Sequence, residues 1–137
     1  MIGIIVVTHG QLGDALIEVA ASILEKTPEN VIPISIDLSI SNDKLRQKIA
    51  NGIKKVDQRA GVLLLTDMFG GSPSNLSYSF LEEGRVEVLS GVNLPVLVKA
   101  VKARDNMSIG ELAIEVERFG KKSISLASGI LKGNKRS

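Results

Sequence analysis

The strand-to-helix junction near the middle of this chain reads VLLLTDMFGGSPSN over residues 62–75. Its first four residues are apolar, as in a strand buried on both faces of a parallel sheet, and a helix is predicted over residues 73–82. Asp67 therefore follows the end of a strand, and Ser72 before proline fits an N-cap followed by the first helical residue. The two glycines allow the backbone to approach a ligand closely, and the N–H groups of a helix start attract anions. The junction predicts an anion-binding turn beside a carboxylate.

Bulk composition limits the classes of function. The chain has 137 residues, 44% of them apolar and 23% charged, which fits one globular domain over residues 1–131 with a basic tail at 132–137. A net charge of +2 is too small to indicate a nucleic-acid partner, and the absence of cysteine excludes disulfides, thiol catalysis and thiolate metal sites. No apolar run approaches the roughly 20 residues of a membrane span, and no basic segment precedes the N-terminal apolar run as in a signal peptide. We expect a cytoplasmic protein.

Strands and helices alternate along the whole chain. Apolar runs predict strands at residues 2–7, 31–36, 62–66 and 86–89, with a weaker fifth candidate at 123–126. Helical signals lie between and after them. An apolar stripe over 12–24 predicts one helix, a second follows Ser41 or Asn42, and Gly84 ends a third. A further helix continues over 96–101, and Ser108 and Glu111 form a capping box for the last one. This alternation predicts a parallel sheet joined by right-handed crossovers.

The commonest strand orders of such sheets bring two distant residues together. Strand 1 lies beside strand 3 in these orders, and the ligand crevice lies beyond the carboxyl ends of those two strands. His9, the only histidine, ends strand 1, and Asp67 ends strand 3. We therefore expect the two side chains to be neighbours.

An imidazole oriented by a carboxylate can act as a nucleophile. If Asp67 accepts a hydrogen bond from Nδ1–H of His9, the tautomer is fixed and Nε2 carries the free lone pair. Helix N–H groups can stabilise the equatorial oxygens of a phosphoryl group. The combination suits the acceptance of a phosphoryl group on nitrogen.

The same residues allow other interpretations. A lone histidine is more often structural, and each glycine-rich turn taken singly is explained as a capped helix start. A serine hydrolase would need a Gly-x-Ser-x-Gly elbow, which is absent, although Ser72, Ser74 and Ser90 keep hydrolysis open. One His and one Asp are too few for a metal site, no lysine follows the glycines as in a Walker-A loop, and the few aromatic residues form no stacking platform for single strands.

Three segments together resemble a known family. They read VTHG at residues 7–10, DMFGGSP at 67–73 and SGVNLP at 90–95. They resemble three motifs of the IIA component of the mannose family of the sugar phosphotransferase system, in the family order and at similar spacing. The similarity extends to about residue 131.

The resemblance implies a phosphocarrier. HPr would pass a phosphoryl group to His9, and His9 would pass it to a IIB protein that also uses a histidine. Asp67 would orient His9, and the phosphoryl-binding residues implied are Thr8, Gly10, Met68, Phe69, Gly70, Gly71 and Ser72. The family fold is a flavodoxin-like three-layer α/β sandwich with strand order 2-1-3-4 and a C-terminal strand that can be exchanged in a homodimer. The resemblance implies no metal and no organic cofactor.

Two consequences concern partners. The chain carries no IIB domain, so a separate IIB partner is expected, with indirect association with the membrane IIC and IID subunits that select the sugar. Phe69 stands where the family tolerates different aromatic residues, which leaves the partner preference open. The alternative function is a non-catalytic regulatory module in which the pocket holds a phosphorylated metabolite or anion and His9 only donates or accepts a hydrogen bond.

Overall fold

The computed structural model describes residues 1–68, 70 and 72–133, with only the backbone of residues 72–74. Along these residues, four strands alternate with the first four of six helices, and a short 3₁₀ turn at Arg104–Asn106 separates the fourth helix from the last two. The strands are β1 Gly3–His9, β2 Val31–Ile36, β3 Val62–Thr66 and β4 Val86–Ser90. The helices are α1 Leu12–Leu24, α2 Asn42–Val56, α3 Ser72–Tyr78, α4 Leu94–Ala103, α5 Ile109–Lys122 and α6 Ala127–Leu131.

The strands form one parallel sheet in the order β2-β1-β3-β4. The register places Ile5 of β1 opposite Leu64 of β3 and Thr66 of β3 opposite Ser90 of β4. This arrangement confirms the predicted α/β fold and the predicted strand order. The carboxyl ends of all four strands consequently lie at one edge of the sheet, as parallel pairing requires.

Both faces of the sheet are covered, because successive residues of a strand point to opposite sides. Ile4 and Val6 pack with α4 and α5 in one hydrophobic core. Ile5 and Val7 pack with α2 in a second core on the other face. All four side chains are fully buried, which explains why β1 reads as a continuous apolar run. The result is the three-layer sandwich that the resemblance implied.

The predicted helix signals of α2 and α5 are confirmed. Ser41 accepts a hydrogen bond from the backbone N–H of Lys44 at the start of α2. Ser108 and Glu111 form the complete capping box of α5. The apolar stripe of α2 is buried along its length, at Leu45, Ile49, Ile53 and Val56.

The apolar stripe predicted for α1 is only partly buried. Ala20 is fully buried, and Leu16 and Leu24 pack against the core that contains Ile4. Leu12, Val19 and Ile23 from the same stripe remain about half exposed. The stripe is wider than the contact of α1 with β1, β2 and α4, so its outer side stays in contact with solvent.

The predicted fifth strand is wrong for the single chain. Ser123 ends α5, where its N–H and its hydroxyl both donate to the carbonyl oxygen of Gly120. Residues 124–126 then lead without strand pairing into α6, and Ile124 and Leu126 are exposed. The apolar alternation of this segment finds no neighbouring strand in the described chain. Exchange of the segment between two subunits stays a prediction.

The predicted end of α3 is also wrong. The helix begins at Ser72, one residue before the prediction, and ends at Tyr78 rather than at Glu82. Beyond Tyr78 the backbone N–H groups of Ser79 and Phe80 donate three residues back, to Leu76 and Ser77, and the hydroxyl of Ser79 also donates to the carbonyl oxygen of Leu76 at 2.6 Å. Gly84, which was expected to end the helix, lies instead in the tight loop before β4 with φ at +86°.

Candidate functional site

His9 is the last residue of β1 and lies at the edge where all the strands end. The six preceding residues of the strand are buried, whereas the His9 side chain is 37% exposed. Gly10 follows it with φ at +52° and turns the chain toward α1. The buried strand therefore fixes the backbone of His9 and leaves one side of its ring open to solvent.

Asp67 directly follows β3 and holds His9 by two hydrogen bonds. Its Oδ2 atom accepts the backbone N–H of His9 at 2.9 Å and lies 2.9 Å from the ring atom Nδ1. The two residues are 58 positions apart in sequence and meet because β1 and β3 pair side by side. The predicted proximity of His9 and Asp67 is confirmed.

The charge of Asp67 determines the form of the imidazole. Burial opposes ionisation, but the hydrogen bonds from the backbone and ring of His9 outweigh it and hold the pKa of Asp67 below its usual value. The carboxylate is therefore ionised at neutral pH and can only accept hydrogen bonds. Its contact with Nδ1 requires the proton to be on Nδ1, so Nε2 of the neutral ring carries the lone pair.

Thr8 connects the end of β1 to the start of α1 by a hydrogen bond. Its side chain is fully buried, and its Oγ1 atom accepts the backbone N–H of Gly13 at 2.8 Å in the first turn of α1. This hydrogen bond satisfies one of the free N–H groups of a helix start. Thr8 was expected among the phosphoryl-binding residues, and the structure directs its hydroxyl toward α1.

Two glycines leave space at the edge of the sheet. Gly10 and Gly70 have φ angles of +52° and +85°, and a Cβ atom at either position would have no neighbour within 4 Å. Met68, between Asp67 and the turn, is 54% exposed. The predicted site residues Phe69 and Gly71 lie outside the described residues, as does the side chain of Ser72.

A chain of hydroxyl groups that the sequence analysis missed lies next to this turn. Thr66, fully buried at the end of β3, donates from Oγ1 to Oγ of Ser90 at 3.0 Å. The phenol oxygen of Tyr78, at the end of α3, lies 2.9 Å from the same Ser90 oxygen. The sequence marks Ser90 as a possible nucleophile and as the first residue of the motif at 90–95, and neither interpretation predicts its bonds to Thr66 and Tyr78. The signal that could have found the chain is the register pair Thr66–Ser90, which follows from equal positions at two neighbouring strand ends.

Neither a cluster of metal-binding side chains nor a membrane-spanning helix occurs in the part of the chain that the structure describes. Within it, no three His, Asp or Glu side chains come together as a metal site would need. Over the same residues, no helix has the length and apolar character to cross a bilayer.

Comparison with known proteins shows the family. The family model described as PTS system fructose IIA component, EIIA-man, matches residues 3–117. The chain belongs to this family. The resemblance inferred from its three motifs is thereby confirmed.

This IIA-family chain spans most of the length of some relatives and less than half of the length of others. The fructose-specific EIIA component of Bacillus subtilis is 29% identical over 129 residues, which cover 93% of this chain and 88% of the relative. The mannose-specific EIIAB component of Escherichia coli is 36% identical over 128 residues, but these are 90% of this chain and only 39% of that protein. Among solved structures, component EIIA from Streptococcus agalactiae superposes with a TM-score of 0.83 at 28% identity, covering 93% of this chain and 98% of that one.

Proposed function

We propose that this IIA-family chain carries a phosphoryl group on Nε2 of His9, accepting it from HPr and passing it to a IIB protein. The observation that carries the proposal is the 2.9 Å contact between Nδ1 of His9 and Oδ2 of Asp67. Because it assigns the proton to Nδ1, the lone pair lies on Nε2. The motifs of the chain and its membership of the EIIA-man family support the same assignment.

Each transfer would be an in-line displacement at phosphorus between two histidine side chains. Nε2 of His9 attacks phosphorus in line with the nitrogen–phosphorus bond of the donor phosphohistidine. The new Nε2–P bond forms as the old one breaks, and the donor imidazole keeps the electron pair. Nδ1–H of His9 stays hydrogen-bonded to Asp67, whose negative charge stabilises the positive charge that develops on the ring. The second transfer repeats these steps with His9 as donor and an acceptor histidine of the IIB protein.

Exposed apolar side chains near the strand ends support a protein partner. Leu38 follows β2 and is 74% exposed, Met68 follows Asp67, and Leu12 begins α1. Each lies within three residues of a strand end at the edge that carries His9. Exposed apolar residues of this kind favour docking of another protein, such as HPr or a IIB protein. Indirect association with membrane IIC and IID subunits would follow through the IIB protein.

We also propose a homodimer. Apart from the bridge between Glu82 and Val86, the outer edge of β4 pairs with no strand in the described chain. Ile124 and Leu126, in the segment expected to be exchanged, are exposed, as are Ile130 and Leu131 of α6. Sedimentation equilibrium should give twice the monomer mass, and a monomer at all concentrations would contradict the dimer without affecting the phosphocarrier assignment.

Phosphorylation with purified components tests the main proposal. The protein is incubated with phosphoenolpyruvate, enzyme I and HPr, and an acid-labile phosphoryl adduct is expected on the wild-type chain. Because the chain has one histidine, a phosphohistidine can only be at position 9, and phosphorus NMR distinguishes Nε2 from Nδ1. The His9→Ala variant, checked for folding by circular dichroism, should take up no label.

The labelling and binding results distinguish a phosphocarrier from a regulatory module. Labelling that persists in His9→Ala would overturn the assignment of the site. An unlabelled wild-type protein that binds a phosphorylated metabolite stoichiometrically in calorimetry would instead identify a regulatory module.

A further inference from the structure

We propose that Tyr78 is a positioning residue for the His9–Asp67 pair and acts through the hydroxyl groups of Ser90 and Thr66. This inference rests on the proposed phosphocarrier function for its kinetic test, while one of its measurements does not depend on transfer. Tyr78 itself has no direct contact with His9 or Asp67 among the described contacts. The hydrogen bonds described above connect Tyr78 to Asp67 through Ser90 and through Thr66 at the end of β3.

Thr66 connects Asp67 with the end of β4. It is the residue immediately before Asp67, so a change in its backbone orientation changes the position from which Asp67 projects its carboxylate. Its hydroxyl donates to Ser90 at 3.0 Å, and its carbonyl oxygen accepts N–H groups of Gly91 and Val92 at 2.9 and 2.8 Å. Thr66 is thus held through its side chain by the last residue of β4 and through its main chain by the two residues that follow.

The short helix α3 depends on tertiary contacts for its stability. The helix has seven residues, which is too short to be stable by helix formation alone. Leu76 is the one apolar side chain of α3 that joins the described core, so additional contacts matter for its placement. The turn that contains Gly70 lies between Asp67 and this short helix.

Tyr78 links the end of α3 to the end of β4. Its hydroxyl group lies 2.9 Å from Oγ of Ser90, which in turn accepts the hydrogen bond from Thr66. The chain segment from Thr66 to Tyr78, which contains Asp67 and the turn, is therefore closed into a loop by three hydroxyl groups. Loss of the Tyr78 hydroxyl opens this loop at one bond and leaves the aromatic ring in place.

The test compares Tyr78→Phe with Ser79→Ala. Both variants remove one hydroxyl at the end of α3, but Ser79 bonds to Leu76 and Arg46 and lies outside the link to Thr66. Rapid-quench phosphorylation by phospho-HPr gives the maximal rate and the half-saturating donor concentration. We expect Tyr78→Phe to lower the maximal rate about three- to tenfold, the range for one neutral hydrogen bond, with the half-saturating concentration unchanged. Ser79→Ala should keep the wild-type rate.

A double variant and a spectroscopic measurement complete the test. If the hydroxyls act as one unit, Tyr78→Phe combined with Ser90→Ala should be no slower than the slower single variant. Nitrogen NMR of the unphosphorylated protein should show His9 of the wild type with its proton on Nδ1 and a mixture of tautomers in Tyr78→Phe. This second measurement remains valid even if the wild-type protein proves not to be phosphorylated.

Several results would overturn the positioning role. Wild-type ring shifts in Tyr78→Phe together with a wild-type rate would remove it. An equal loss of rate in Ser79→Ala would show that general loosening of α3 is the cause, and additive losses in the double variant would show that Tyr78 and Ser90 act separately.

Discussion

Both hydrogen bonds from His9 to Asp67 end on the same carboxylate oxygen. Oδ2 lies 2.9 Å from the backbone nitrogen and 2.9 Å from Nδ1, while Oδ1 is buried with no partner among the described residues. One oxygen therefore fixes both the main chain and the ring of the same residue. Rotation of the imidazole about its side-chain bonds would break the ring contact while the backbone contact remained, so the carboxylate acts as a fixed reference point for the ring.

The variant Asp67→Asn should slow phosphoryl acceptance by His9 while leaving the fold intact. The asparagine oxygen can accept both hydrogen bonds, so the main change is the loss of negative charge beside the reacting ring. We expect the maximal rate to fall about ten- to hundredfold, the range found at metal sites when the partner of a functional histidine is changed. Rapid-quench labelling measures it. Asp14→Asn, at an exposed carboxylate that binds Ser35, is the matched control, and equal rates in all three proteins would remove the role of the charge.

Stability should depend on pH through the same carboxylate. The folded state holds the pKa of Asp67 below the ordinary 3.8, so the unfolded state binds more protons in that range and stability rises with pH. The contribution is complete above the ordinary value and is lost as the pH falls through the lowered folded value. Urea unfolding of wild type and Asp67→Asn from about pH 7 to about pH 3 should therefore show a difference in unfolding free energy that shrinks at the acid end. A constant difference would contradict this linkage. Asp37 and Glu111, whose pKa values are also lowered, are common to both proteins and cancel in the comparison.

Thr8→Val should destabilise the protein through α1. Valine keeps the shape of threonine but leaves the buried N–H of Gly13 without its acceptor, at a cost of about 1–3 kcal/mol in unfolding free energy. Thr8→Ser keeps the oxygen and should lose less. Thr8→Val should still be phosphorylated at saturating donor, since the hydroxyl faces α1. Abolished labelling in a folded Thr8→Val protein would instead support the direct contact with the phosphoryl group that the family resemblance implied.

Glycine substitutions should distinguish crowded from open positions. A Cβ atom at Gly3 would lie 2.6 Å from the carbonyl oxygen of Val56, so Gly3→Ala should cost about 1–3 kcal/mol by overpacking. Gly110, within α5, has no neighbour within 4 Å of such an atom, and Gly110→Ala should stabilise by up to about 1 kcal/mol because alanine favours the helix. Denaturant unfolding measures both values, and equal effects would show that the sheet end near Gly3 relaxes more than its packing indicates.

The sequence was sufficient to predict the main relationship of the site. A parallel sheet with β1 beside β3 follows from the alternation of elements, and that order alone brings His9 to Asp67. The buried strands and the stripe of α2 were predictable for the same reason, because periodicity reports burial directly. These features depend on the pattern of residues along the chain and little on individual side-chain contacts.

The missed features depend on contacts between particular side chains. α3 ends at Tyr78 in local bonds to carbonyl oxygens three residues back, one of them from the hydroxyl of Ser79, whereas Gly84 indicated a longer helix. The apolar alternation of Ile124 and Leu126 was read as a strand, but it has no strand to pair with in the single chain. The bond of Tyr78 to Ser90 joins a helix end to a strand end, and no pattern along the chain indicates that the phenol will reach this serine.

The pairing of β1 with β3 has a consequence for how the protein is made. During synthesis, residue 9 leaves the ribosome 58 residues ahead of its partner at position 67. Until β2, both crossover helices and β3 are in place, the imidazole has no carboxylate to fix its tautomer. Such a non-local contact forms late in folding, because a long loop has to close first. On the proposed function, a nascent or partly folded chain cannot accept a phosphoryl group efficiently, and acceptance of the group becomes a mark of completed folding.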